Sequence, residues 1–84
     1  MNTEISRDPS DYRPRNHALQ RAKYRGIDLE LVGETIQEGS VHPSYEDGCY
    51  VFKQDFVHTD HPVRVVVNAQ RQCVITVAWE YSNE

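Results

Sequence analysis

Apolar residues change their spacing near residue 40 of this chain. Before that point they recur at helical intervals, and after it they alternate. Ala18, Leu19 and Ala22 give residues 17–25 a modest apolar side, while Leu29, Val32 and Ile36, with Leu31 at the edge, give the next segment a stronger one. Asn16 is placed to cap the first helix, and Gly26 to end it in the left-handed conformation. Asp28 is the expected cap of the second helix, with Ile27 and Val32 as a hydrophobic staple and Gly39 as the stop. Gly33 inside that helix costs about 1 kcal/mol against Ala unless it admits a close neighbour. The first helix, folded back antiparallel, is the expected neighbour.

Beyond residue 40 the period is two. Cys49–Phe56 places Tyr50, Phe52 and Phe56 on one face and Val51 and Lys53 on the other. Val63–Asn68 and Cys73–Tyr81 follow, joined by the hairpin loop Ala69–Gln72. In the last strand Ile75, Val77, Trp79 and Tyr81 share a face, opposite Thr76, Ala78 and Glu80. A further short strand around Ser40–His42 would stop at Pro43. The connections are too short for crossovers, which predicts an antiparallel meander of three or four strands. The fold class is therefore α+β: an N-terminal two-helix hairpin on a curved antiparallel sheet. Leu19, Val32, Ile36, Phe52, Val65, Ile75, Val77 and Trp79 form its expected core.

Residues 1–14 carry Pro9, Pro14 and several charges, with Ile5 and Tyr12 as their large apolar groups, and read as a flexible arm. Residues 15–82 read as one domain. A hydrophobic fraction of 38% and a mean hydropathy of -0.72 leave little apolar material beyond one small core. With no long apolar run and no basic-then-apolar leader at Met1–Glu4, the expected location is cytoplasmic and away from membranes. Cys49 and Cys73 are then expected as free thiols.

The net charge of -4 conceals an asymmetry. Residues 1–25 hold six Lys/Arg against three acids, a local charge of +3, whereas residues 26–84 hold three against ten, a local charge of -7. A basic end on an acidic body suits a phosphate backbone or an acidic partner; ordinary solvated charge is the plainer reading.

His17-Ala18-x-x-Arg21, Arg25-Gly26-Ile27, a second helix ending near Gly39 and the closing Val74-Ile75-Thr76-Val77-x-Trp79 resemble a family of small uncharacterised prokaryotic domains. That family is grouped with the RelE/ParE superfamily and the BrnT toxins, and the resemblance spans about residues 16–79. It implies a helical hairpin on a curved sheet and kinship with toxins of toxin–antitoxin pairs that act on RNA. RNA and a cognate antitoxin-like protein are the partners it implies. RelE-type toxins place their cationic and acid/base groups mainly on the sheet and near the C-terminus. Lys53, Arg64, Arg71 and Tyr81 are the residues of matching type here.

The first candidate chemistry is the stripe His17, Arg21 and Arg25, spaced i, i+4 and i+8 on the first helix. Metal-independent cleavage of RNA through its 2'-hydroxyl needs a base, an acid and cations for the developing charge, and these residue types can serve as the catalytic set. The structural alternative ties Arg21 to Glu30 or Glu34 and Arg25 to the helix end. Arg13, Arg15, Lys23, Tyr24, Lys53 and Arg64 are the candidate RNA contacts, combining cations with a stacking ring. His58-x-x-His61 with His42 and Cys49 is a poor ligand spacing, so no metal is expected, nor any other cofactor. A non-catalytic regulatory or interaction domain on the same scaffold stands beside the ribonuclease reading.

Overall fold

The computed structural model describes residues 5–80, in which two helices cover one face of an open, mixed five-stranded sheet. In chain order the elements are β1 (Arg13–Pro14), α1 (Asn16–Arg25), α2 (Leu29–Glu38), β2 (Ser40–Pro43), β3 (Cys49–Gln54), β4 (Val63–Asn68) and β5 (Cys73–Trp79). The strands lie in the order β1-β5-β4-β3-β2, and β2 to β5 form the expected antiparallel meander. The expectation of three or four purely antiparallel strands is corrected by β1, which pairs parallel with β5. No helix among the described residues is long and apolar enough to cross a membrane.

α1 ends as Gly26 predicts. Gly26 takes φ 71° and its N–H meets Lys23 O, while Ile27 N–H reaches back to Ala22 O, the paired bonds of a Schellman turn. The start of α1 differs from expectation. Asn16 is its first residue, and Arg15 stands at the cap without a side-chain bond to the first turn. Asp28 likewise occupies the cap of α2 without such a bond.

The helices do not pack on each other as a hairpin. α1 lies on β5, and α2 lies on β3 and β4, so each buries its apolar side against the sheet. Gly33 accordingly faces Pro9 rather than α1, at distances an added Cβ could accept. Gly39 is the constrained glycine, because a Cβ there would collide with the Lys53 and Thr35 carbonyls. α2 can therefore turn directly into β2 beside β3 only with glycine at that point. Leu29, expected in the buried stripe, is 58% exposed, and Thr35 is buried instead with its hydroxyl donating to Leu31 O at 2.7 Å.

A bulge resets the parity of β5. Val66 pairs with Thr76 but Val67 pairs with Val74, so Ile75 is the extra residue. Val74 takes the core position at 2% exposure, and Ile75 and Leu19 are only half-buried. Val32, Ile36, Phe52, Val65 and Val77 join the core as expected, with Trp79 packed against it. Tyr81 lies outside the described residues.

The N-terminal segment departs most from its expectation. Read as a loose arm, its described part packs across the helix-covered side of the sheet. Tyr12 is 4% exposed, meets Phe52 edge-on at 6.3 Å, and donates its hydroxyl to Ser6 O at 2.6 Å. Arg7 lies over the Phe52 ring at 5.5 Å and donates to the Gln37 and Gly39 carbonyls at the end of α2. A single 3-10 turn, Pro9–Asp11, then delivers the chain to β1. Pro14 has no N–H, yet β1 still pairs, because Arg13 N–H donates to Gln72 O at 2.8 Å and Arg15 N–H to Val74 O at 3.4 Å.

Candidate nucleic-acid interface

Arg13 and Arg15 flank Pro14 and are two residues apart, so on an extended segment their side chains leave the same face. The register Arg13↔Cys73 sets them beside the β4–β5 turn, which carries Arg71 and Gln72. Arg71 N–H is fixed by Asn68 Oδ1 at 2.9 Å. Arg13, Arg15 and Arg71 thereby line one groove of about 540 Å3 with Ser10, Asp11 and Gln72. All three arginines are exposed, and none forms an ion pair among the described residues.

Three arginines lining one groove supply guanidinium forks, groups suited in charge and in donor geometry to phosphate oxygens. The groove also borders the start of α1, whose first-turn amides have no side-chain acceptor at Arg15. Asp11 is the carboxylate among the lining residues, and its Oδ2 accepts the Ser6 hydroxyl. This arrangement suits binding of a polyanion.

The stripe on α1 divides. His17 and Arg21 are exposed, and Arg21 is paired with neither Glu30 nor Glu34. Arg25 is half-buried and directed the other way: its Nη1 donates to Val77 O at 2.8 Å, while Trp79 Nε1 donates to Arg25 O at 2.9 Å. This pair of bonds staples α1 to the part of β5 that β1 leaves uncovered, which gives Arg25 a structural task. Lys23 and Tyr24 are exposed on α1, Tyr24 at 88%.

Lys53 and Arg64 lie on the sheet face opposite the helices. They are direct cross-strand partners, and each approaches a different carboxylate oxygen of Glu80 at 3.4 Å. Like charges placed side by side repel, and Glu80 offsets that repulsion. With His42 they line a separate recess of about 360 Å3. His42 Nε2 is 2.9 Å from Ser40 Oγ.

The candidate metal ligands are not assembled. His42 and Cys49 sit at the β2–β3 end of the sheet, and His58 and His61 in the loop before β4, beside Trp79. No group of three potential ligands exists among the described residues. Cys49 and Cys73 are register partners of the same Asn68 from opposite sides, hence about two strand spacings, roughly 9–10 Å, apart. That separation is beyond disulfide reach, and both thiols are free. Burial, helped by Glu46, pushes the Cys49 thiol pKa up, which makes it a poor nucleophile.

Sequence reasoning included Arg13 and Arg15 but gave no role to Gln72 and no shared site to Arg71. No local signal joins the residues, because the parallel β1–β5 pairing brings together positions about 60 apart.

One family matches the chain, described as "Domain of unknown function (DUF4258)", over residues 15–79. The chain belongs to the DUF4258 family. No curated protein and no solved structure matches it. Of the groove, the DUF4258 match includes Arg15, Arg71 and Gln72, while Ser10, Asp11 and Arg13 precede it.

Proposed function

We propose that this protein acts on RNA as a toxin-like component of a toxin–antitoxin type system, holding a single-stranded segment by its phosphates. The observation that carries the RNA contact is the convergence of Arg13, Arg15 and Arg71 on one groove, with none of them in an ion pair among the described residues. Lys23 and Tyr24, exposed in the last turn of α1, offer a further cation and a ring for base stacking. The toxin-like part of the reading rests on the resemblance to the RelE/ParE superfamily and the BrnT toxins. His17, with Arg21, is the candidate for proton transfer to a bound strand, making the protein a metal-independent ribonuclease.

A second reading, a non-catalytic binding domain, draws on the position of Arg25. Its guanidinium is committed to Val77 O, which removes one cation from the stripe that would stabilise a cleavage transition state. Single-stranded RNA binding across a salt series, with gel analysis of the same RNA, tests both. Three phosphate contacts give a slope of log affinity against log salt of about -2. Cleavage that His17→Ala abolishes supports the ribonuclease; binding with intact RNA supports the second reading. Binding indifferent to salt and to loss of the three arginines overturns the RNA reading. Growth arrest on expression, relieved by a neighbouring gene product, tests the toxin-like assignment.

A further inference from the structure

Three described residues have positive φ, and the chain places glycine at two of them, Gly26 at 71° and Gly48 at 80°. The third is Gln72, at 55°. A side chain with a Cβ is disfavoured there, and glycine or asparagine is the usual occupant. Gln72 closes the β4–β5 turn, and its backbone carbonyl accepts the Arg13 N–H at 2.8 Å. Its backbone is thus one strand spacing from that of Arg13, and the residue, itself exposed, is among those that line the three-arginine groove.

We infer that Gln72 is a specificity-determining residue of this groove and contacts the base of a nucleotide whose phosphate the arginines hold. The inference rests on the RNA reading above and names what that site distinguishes. A carboxamide presents one donor and one acceptor in a plane. Uracil (N3–H with O4 or O2) and cytosine (N4–H with N3) offer the complementary pair on the Watson–Crick edge alone, whereas adenine offers it there, N6–H with N1, and again on its Hoogsteen edge, N6–H with N7. In a single strand the bases are unpaired, so both adenine edges are open to a side chain. Gln72 keeps a backbone conformation that disfavours its side chain, the kind of local strain that clusters at ligand-binding sites.

The test uses the whole chain, end-labelled rA12, rC12 and rU12, and two variants. Gln72→Met keeps the length and removes both hydrogen-bonding groups; Gln72→Gly removes the side chain and relieves the backbone. The parent should bind rA12 roughly fivefold or more tightly than rU12 and rC12. Both variants should bind all three oligomers alike, at about the parent's affinity for rU12, and Gln72→Gly should melt at a higher temperature than the parent. A base preference that survives Gln72→Met overturns the inference, as does a parent that binds the three oligomers equally, and in either case the RNA reading stands. Absence of binding to every oligomer overturns both. A variant that unfolds is recognised from its melt, and Gln72→Asn, which tolerates left-handed backbone, then supplies the comparison by retaining a shorter amide.

Discussion

Two basic clusters lie on this small domain, and they differ in what surrounds them. Lys53 and Arg64 face each other on the open side of the sheet and share Glu80. Arg13, Arg15 and Arg71 line the groove at the β1 edge with no such counter-ion bonded to them among the described residues. The number of cations alone therefore says little about binding. A carboxylate between two cations neutralises part of the field an approaching phosphate would meet, whereas an unpaired group keeps its charge and its donors for a ligand.

The largest expected effect separates the clusters directly. Combined replacement of Arg13, Arg15 and Arg71 by Ala should weaken single-stranded RNA binding by about 3 kcal/mol or more at low salt, about one charge-assisted contact per residue. Lys53→Ala with Arg64→Ala should change it by under about 0.5 kcal/mol. Fluorescence anisotropy at two salt concentrations measures both, and a larger loss from the sheet pair would invert the comparison.

Next in size is the contrast between Arg25 and Arg21. Removing Arg25 takes away the donor to Val77 O and the packing of its stem, and should cost about 1–2 kcal/mol. Arg21→Ala should stay within about 0.5 kcal/mol. Urea denaturation of the two variants decides, and equal costs would count against the division of the stripe.

Glu80→Gln sharpens the comparison from the other side. It leaves Lys53 and Arg64 uncompensated and should cost no more than about 1 kcal/mol, because both ion pairs are about one-third exposed and screened by solvent. The freed pair should then add a weak RNA contact at low salt. If affinity is unchanged, the unpaired charge is not what separates the clusters.

The smallest effects come from pH and concern the segment that delivers the groove. Asp8 accepts from Ser10 N–H and Ser10 Oγ, and these bonds hold its pKa below the usual aspartate value. Its contribution is therefore present above about pH 4 and is lost as pH falls through the lowered value. Tyr12 behaves oppositely. Burial, assisted by Asp11, raises its pKa, so its contribution is full below about pH 10 and is lost as pH rises through the raised value. Melting temperature should decline at both extremes in the parent. Tyr12→Phe should lose the alkaline decline, and Asp8→Ala part of the acid one.

The helical stripes and the strand alternation were readable because they are local. Ala18, Ala22, Val32, Ile36 and the valines of β4 each sit at positions set by a period of 3.6 or 2, and burial follows from the period. The bulge at Ile75 marks the limit of that logic, since one extra residue exchanges core and surface beyond it. Gly33 and Arg25 mark another limit. Their residue types were consistent with several neighbours, and only packing selected Pro9 for the first and the β5 edge for the second.

The sequence by itself determined two helices, their glycine-marked ends, three alternating strands and a basic N-terminal end. Those follow from backbone preferences and from apolar groups needing one shared side. Tertiary structure decided that the N-terminal segment would pack on the core and pair as β1. It thereby decided that Arg13 and Arg15 would meet Arg71 and Gln72. Two backbone bonds across a pairing so distant in sequence, together with burial of Tyr12, hold that edge in place. A strand of two residues containing proline has no period of its own to announce it. Its place depends on the edge that β5 leaves open, and that edge exists only once the sheet has formed.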